Sequence, residues 1–251
     1  MSGKKERVSR VVEADPFLSV LVPAYNEERT IRELLSRVEA APYTKQIIVV
    51  DDGSTDGTGV ILSEYAGRSG YTIVRHDRNR GKGAAIRTAI AHAQGQVCII
   101  QDADLEYDPG EYPLLVEIIR KGYGDVVYGS RYIGKKNDLP ATRFKIGVLS
   151  LNLLVRLLYR HPITDEATCY KAFRTSLLKD IGLTCERFEF CPEVTARVIR
   201  RGHRIIEVPI TYRYRTVAEG KKIGWRDFLE AVWCLMKCRV WPEKKHVRES
   251  A

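Results

Sequence analysis

The sequence predicts an α/β fold: a central, mostly parallel sheet flanked by helices. Three observations predict it. Short apolar runs rich in Val and Ile alternate with stretches of helical periodicity. Each run stops at a cluster of turn residues. The helical stretches between runs are long enough to serve as crossovers between parallel strands.

The elements follow in order. Phe17 to Val22 is a short apolar run, a buried strand that stops at Pro23. Asn26 stands where a helix cap is needed, and Ile31, Leu34, Leu35 and Val38 form that helix's buried stripe. Residues 46–50 are the next strand, followed by the turn Asp51-Asp52-Gly53-Ser54 and a helix over 57–66. Strands over 71–75, 97–101 and 125–128 alternate with helices over 83–93 and 110–121. The second half is less regular. It offers helices over 144–159 and 192–201, strands over 167–173 and 204–212, and an amphipathic helix over 225–240.

Composition narrows the classes. A chain of 251 residues with 44% hydrophobic content can bury a sizeable core. Its net charge of +9 favours an anionic partner: nucleic acid, a phosphorylated substrate or an anionic membrane. Six cysteines occur with no C-x-x-C pair, so zinc-site spacing is absent and reduced thiols are expected. Residues 1–10 are polar and basic, unlike a signal peptide, and no apolar run reaches the length of a membrane span. Lying on a bilayer surface stays open.

Polar residues cluster where predicted strands end, and in such sheets ligands bind beyond the carboxyl ends of strands. Pro23-Ala24-Tyr25-Asn26-Glu27 follows the first strand, Asp51-Asp52-Gly53-Ser54 the second, and Asp102-Ala103-Asp104 the fourth. Residues two apart on extended backbone point the same way, so Asp102 and Asp104 can face one hard cation, Mg²⁺ or Mn²⁺. That ion typically completes its shell with substrate phosphates. Taken alone, D-x-D also describes a solvated acidic turn; its place after an apolar strand, beside two similar turns, favours the metal. Rival phosphate motifs fail. No G-x-G-x-x-G follows the first strand, and Gly81-Lys82-Gly83 lacks P-loop spacing. Lys82 is left as either a phosphate contact or a solvated helix-start lysine.

PAYNE (23–27), DDGSTDGT (51–58), the segment Arg78-Asn79-Arg80-Gly81-Lys82-Gly83 and QDADLEYDP (101–109) together resemble the signature of family 2 glycosyltransferases with the GT-A fold. The resemblance covers residues 17–215. It implies a GT-A nucleotide-diphospho-sugar transferase domain there, with a flexible arm over 1–16 and an amphipathic, membrane-surface segment over 216–251. It also implies that Pro23, Ala24, Tyr25, Glu27, Asp51, Asp52, Lys82, Asp102 and Ala103 bind the nucleotide sugar. Asp102 and Asp104 approach the metal. Glu106 stands where close relatives often carry glutamine, which leaves the third metal contact open.

The second half is similar to the polyprenyl-phosphate branch of that family, the dolichyl-phosphate mannose synthase type and its glucosyl relatives. By that resemblance Arg131, Arg143 and one of Lys221 and Lys222 hold the acceptor phosphate. Arginine suits the task because its planar fork binds two oxygens at once. Asp104, Arg131, Asp165 and Glu189 are the candidate catalytic residues. The implied reaction is a metal-dependent, inverting transfer of mannose or glucose from GDP-mannose or UDP-glucose to a polyprenyl or dolichyl phosphate. It would take place at the cytoplasmic face of a membrane, with no nucleic acid involved. The family often adds spanning helices; without them, anchoring beyond surface helices needs a partner protein. Two alternatives stand. The acceptor could be a saccharide or cell-wall hydroxyl, which needs a general base from Asp165 or Glu189. The chain could also be a nucleotide-sugar or nucleic-acid binding module without turnover.

Overall fold

The computed structural model describes residues 15–134, 137, 143–214 and 225–240, with the side chains of 143 and 144 outside the description. A seven-stranded sheet has the order β3-β2-β1-β4-β6-β5-β7. Its strands are β1 (Leu18–Ala24), β2 (Lys45–Asp51), β3 (Tyr71–Arg75), β4 (Val97–Ile100), β5 (Val126–Ser130), β6 (Lys171–Arg174) and β7 (Ile205–Pro209). β1 pairs parallel with β2 and β4, β2 with β3, and β5 with β7. β6 is antiparallel to both of its neighbours, β4 and β5. The mostly parallel sheet flanked by helices is therefore the architecture observed.

The helices are α1 (Ile31–Ala40), α2 (Thr58–Ser63), α3 (Lys82–His92), α4 (Tyr112–Arg120), α5 (Arg143–Tyr159), α6 (Thr175–Asp180), α7 (Phe190–Arg200) and α8 (Trp225–Val240). Two apolar layers sandwich the sheet, as the period of two along each strand requires. On one face Val20 and Val22 of β1 and Val49 of β2 pack with Leu34 of α1 and Leu115 of α4. On the other, Leu21 and Ile48 pack with Ile86 of α3, Val155 of α5, Val194 of α7 and Leu235 of α8.

Three local expectations are corrected. α1 begins at Ile31, not at Asn26. Asn26 instead adopts φ 55, a left-handed conformation that asparagine tolerates, and its Oδ1 accepts from Thr55 N at 2.8 Å. Its side chain thus ties the loop after β1 to the loop after β2. β6 is Lys171–Arg174, shorter than the expected strand over 167–173; ahead of it the Lys171 ammonium meets the Glu166 and Thr168 carbonyls. α6 was not anticipated; its six residues are too few to show a helical period.

Candidate active site

Strand direction gathers the site. β1, β2 and β4 are parallel, so Pro23–Glu27, Asp51–Ser54 and Asp102–Glu106 emerge on one edge. β6 runs the other way, so the segment that precedes it, residues 164–170, reaches the same edge beside Arg131 at the end of β5. A crevice of about 610 Å³ results. Its wall brings together Pro23, Ala24, Tyr25, Glu27, Asp52, Lys82, Asp102, Ala103, Asp104, Glu106 and Arg131.

The other expected residues stand elsewhere. Asp51 is buried beneath the wall: Oδ1 accepts from Ser54 N at 2.9 Å and Oδ2 faces Arg75 Nε at 3.4 Å. Asp165 lies behind Arg131, on the wall of neither cavity described here. Glu189 accepts from the Glu186 and Arg187 amides at 2.9 and 3.1 Å, bracing the turn before α7. The side chain of Arg143, and Lys221 and Lys222 entirely, lie outside the described residues.

The nucleotide-facing loops are bound to one another. Asp52, 3% exposed, accepts from Arg80 N at 2.9 Å, from Gly81 N at 2.7 Å and from His76 Nδ1 at 2.7 Å. It fixes the loop that starts α3 and so aims Lys82. Gly81 has φ 95, and a Cβ there would lie 2.4 Å from the Glu186 carbonyl, so only glycine fits. Leu105 is a second non-glycine residue at positive φ, 61, in the turn that carries Asp104. Of the four non-glycine residues at positive φ among the described residues, Asn26 and Leu105 lie in loops at the site, while Tyr43 and Arg160 lie away from it.

Lys82 is the pivot of the electrostatics. Its Nζ lies 2.6 Å from Asp102 Oδ1 and donates to Cys169 Sγ at 2.9 Å. The contact with Asp102 is an ion contact out of hydrogen-bond alignment, and Oδ1 has no other partner. Burial opposes the lysine charge, but Asp102 and the thiols of Cys169 and Cys191 outweigh it and raise Lys82 well above the ordinary lysine value. Arg131, 4% exposed, makes a bidentate pair with Asp165: Nε to Oδ2 and Nη2 to Oδ1, both 2.7 Å. Its guanidinium also lies 5.0 Å from the Tyr212 ring centroid.

The carboxylates fit a divalent ion. Asp102 and Asp104 share one wall with Glu106 beside them, and the buried Asp102 Oδ1 is met only by the Lys82 ammonium, which a divalent ion would have to displace. Among the described residues no group of three His, Cys, Asp or Glu side chains forms a ready cage. That suits Mg²⁺, which binds through one or two carboxylates and lets substrate phosphates finish its shell.

Sequence reasoning missed several wall residues: Arg80, Tyr107, Cys169, Arg187, Phe188 and Tyr212. Tyr107 stacks on Tyr170 at 5.1 Å and also packs on Tyr212. A second, mainly apolar cavity of about 650 Å³ was missed too. It lies between α5, the start of α7 and α8, lined by Ile146, Val148, Leu151, Phe190, Trp225 and Phe228 among others. The two cavities share Lys82, Ala167, Cys169 and Phe188, which form the wall between them.

A family model described as glycosyl transferase family 2 matches residues 19–182. Among curated proteins, the dolichol-phosphate mannosyltransferase of Pyrococcus furiosus is 29% identical over 88% of this chain and 64% of its own length. The dodecaprenyl-phosphate galacturonate synthase of Rhizobium johnstonii is 34% identical over 79% of this chain and 59% of its own. The chain thus spans less than two thirds of either relative. Among solved structures, glucosyl-3-phosphoglycerate synthase from Mycobacterium tuberculosis, in complex with Mn²⁺, UDP and phosphoglyceric acid, superposes with a TM-score of 0.67. That match covers 91% of this chain and 80% of the other at 20% identity, a likeness of fold.

Proposed function

The chain belongs to glycosyl transferase family 2 and has the GT-A fold, and from that premise we propose that it moves a sugar from a nucleoside diphosphate donor to a polyprenyl phosphate. The observation that carries this reading is the pair of adjoining cavities. A polar crevice with carboxylates and cations suits a nucleotide sugar; an apolar cavity one wall away suits an isoprenoid. The relatives named for dolichyl- and dodecaprenyl-phosphate reactions support the same acceptor class.

The reaction asks little proton chemistry of the protein. A lipid monophosphate is already anionic, so its oxygen attacks the anomeric carbon as the nucleoside diphosphate departs from the opposite side, with inversion. Arg131, held in one orientation by Asp165, presents its charge to the crevice and aligns the phosphate. Lys82 carries positive charge to the wall between the cavities. Asp102 and Asp104, with Glu106 near them, would hold Mg²⁺ or Mn²⁺, which supplies charge neutralisation to the departing diphosphate. A saccharide-hydroxyl acceptor would need a carboxylate base at the wall. Asp165 is clamped on Arg131 and Glu189 braces a turn, which weighs against it.

Two helices support a seat on a membrane surface. α5 exposes Ile146, Leu149, Leu153 and Leu157, a stripe at helical spacing, while Val148, Leu151 and Val155 face the core. α8 exposes Trp225, Leu229, Trp233, Met236 and Val240, while Ala231 and Leu235 face inward. Paired apolar stripes with basic residues among them suit the interface of an anionic bilayer. Among the described residues no helix is long and apolar enough to cross a membrane.

The test is a panel of GDP- and UDP-sugars offered with polyprenyl phosphate in detergent or vesicles, with and without Mg²⁺ or Mn²⁺, read by product mass. The expected product is the lipid phosphate plus one sugar residue, formed only with metal. Transfer to a free saccharide in preference to the lipid phosphate would overturn the acceptor.

A further inference from the structure

The wall between the two cavities carries two thiols. Cys169 lies just before β6 and Cys191 in the first turn of α7, and their sulfurs are 3.9 Å apart. Cys169 faces both cavities and Cys191 the apolar one, so a small solute in the apolar cavity can reach both sulfurs. Cys169 accepts from Lys82 Nζ at 2.9 Å, and Cys191 donates to the Thr168 carbonyl at 3.4 Å. Lys82 and Lys171 both bring positive charge to bear on the sulfurs.

This is the setting of reactive cysteines: cations nearby, partial access and a neighbouring thiol to resolve an oxidised partner. The hydrogen bond from Cys169, with help from the lysines, lowers Cys191, and the same bond raises Cys169. The other cysteines are placed differently. Desolvation pushes Cys98 up to about 11 and raises Cys185 further, and Cys234 and Cys238 line neither cavity.

We propose that Cys169 and Cys191 form a peroxide-sensitive dithiol whose oxidation to a disulfide takes the Cys169 sulfur away from Lys82 and shuts down the adjoining site. Cys191 gives up the proton it holds toward the Thr168 carbonyl and attacks one peroxide oxygen as the thiolate; the O–O bond breaks, a sulfenic acid forms, and the other oxygen leaves as hydroxide, which takes up that proton through solvent to become water. The Cys169 sulfur then attacks the sulfenic sulfur, the S–S bond forms, and the second water departs with its proton. Two thiols have given two electrons and two hydrogens to one peroxide. A small dithiol reverses the step by exchange. The sulfurs must close from 3.9 Å to about 2.05 Å, so Cys169 is drawn off the ammonium that also touches Asp102.

The consequence for activity rests on the transferase reading above; the disulfide itself does not. Full-length reduced protein is treated with hydrogen peroxide and mapped by non-reducing peptide mass spectrometry, with sugar transfer measured on the same samples. The expected result is a cross-link between the Cys169 and Cys191 peptides, two hydrogens lighter than the thiol pair. Transfer should fall about tenfold or more, the worth of one hydrogen bond to a charged group, and dithiothreitol should restore it. Cys191→Ser should lose both the cross-link and the response to peroxide relative to its own untreated sample. A Cys234→Ser/Cys238→Ser background should keep both. If no acceptor is turned over, nucleotide affinity of the reduced and oxidised forms replaces transfer as the readout. Sulfinic acid without a cross-link overturns the dithiol. A cross-link that changes neither transfer nor nucleotide affinity overturns the switch.

Discussion

The two halves of the sheet handle charge in opposite ways. On the β3-β2-β1-β4 side, most carboxylate oxygens at strand ends go to backbone amides of nearby loops, Asp51 Oδ1 on Ser54, Asp52 on Arg80 and Gly81, Asp104 on Glu106, while Asp51 Oδ2 and Asp102 Oδ1 face the cations of Arg75 and Lys82. On the β6-β5-β7 side, more of the charge is sunk in the core, answered by other side chains, by backbone carbonyls and amides, or by nothing. Arg131 and Asp165 pair out of solvent, Lys171 sits 3.8 Å from the Tyr128 ring centroid, and both oxygens of Glu166 are buried without a hydrogen-bond partner. The first half uses acids to shape loops, so damage there should stay local. The second half holds charges in low dielectric, where removing one partner strands the other.

The contrast can be broken most sharply at Arg131. Replacing it with alanine leaves Asp165, fully buried, without its cation, at a cost of about 3–5 kcal/mol of stability by urea unfolding. The double change Arg131→Met with Asp165→Leu should recover most of that stability while transfer remains lost. Equal stability of the single and double variants would show that the pair is not a coupled buried unit.

Asp104→Asn tests the other half. Transfer should drop on the order of 10²–10³-fold, the scale of one charge-stabilising group at a reacting centre. The melting temperature should stay at the wild-type value, because the Asp104 hydrogen bond to Glu106 N is local. A large fall in melting temperature would erase the distinction between the halves.

The smallest effect, and the one that depends on pH, belongs to Glu166. Burial raises its carboxyl from 4.5 to about 8. Between those values the folded chain keeps a proton that the unfolded chain releases, so stability falls as pH rises from about 4.5 to about 8 and is level above. Glu166→Gln removes this term. The variant should match the wild type near pH 4.5 and exceed it in stability at pH 9. Parallel stability curves for the two proteins would show that Glu166 is not protonated in the fold.

The same divide explains what could be read from the sequence. The parallel half was legible because its strands are apolar runs closed by turn residues, and its acids follow those runs directly. Eleven of the expected site residues share the crevice, most because strand direction brings them there and Lys82 because Asp52 holds the loop before it. Asn26 was misjudged since a cap and a loop tie use the same side chain. The apolar cavity was illegible: its walls come from α5, α7 and α8, distant in sequence and joined only by packing. Tyr107 belongs to the acidic segment already singled out, but nothing local announces its stacking on Tyr170. Glu166 was hidden beside Asp165, since its burial and lack of partners are set by tertiary contacts.

The reversal of β6 has a consequence for how such a site can change. A purely parallel sheet feeds its ligand-bearing rim only with what comes after a strand, and each such loop must also launch a crossover. Residues 164–170 arrive from the far end of α5 and enter β6 head first. They owe no geometry to a following crossover. Substitutions at Ala167 and Cys169, the two positions of that stretch on the shared wall, can therefore reshape the border between the two cavities while the strands beneath keep their register.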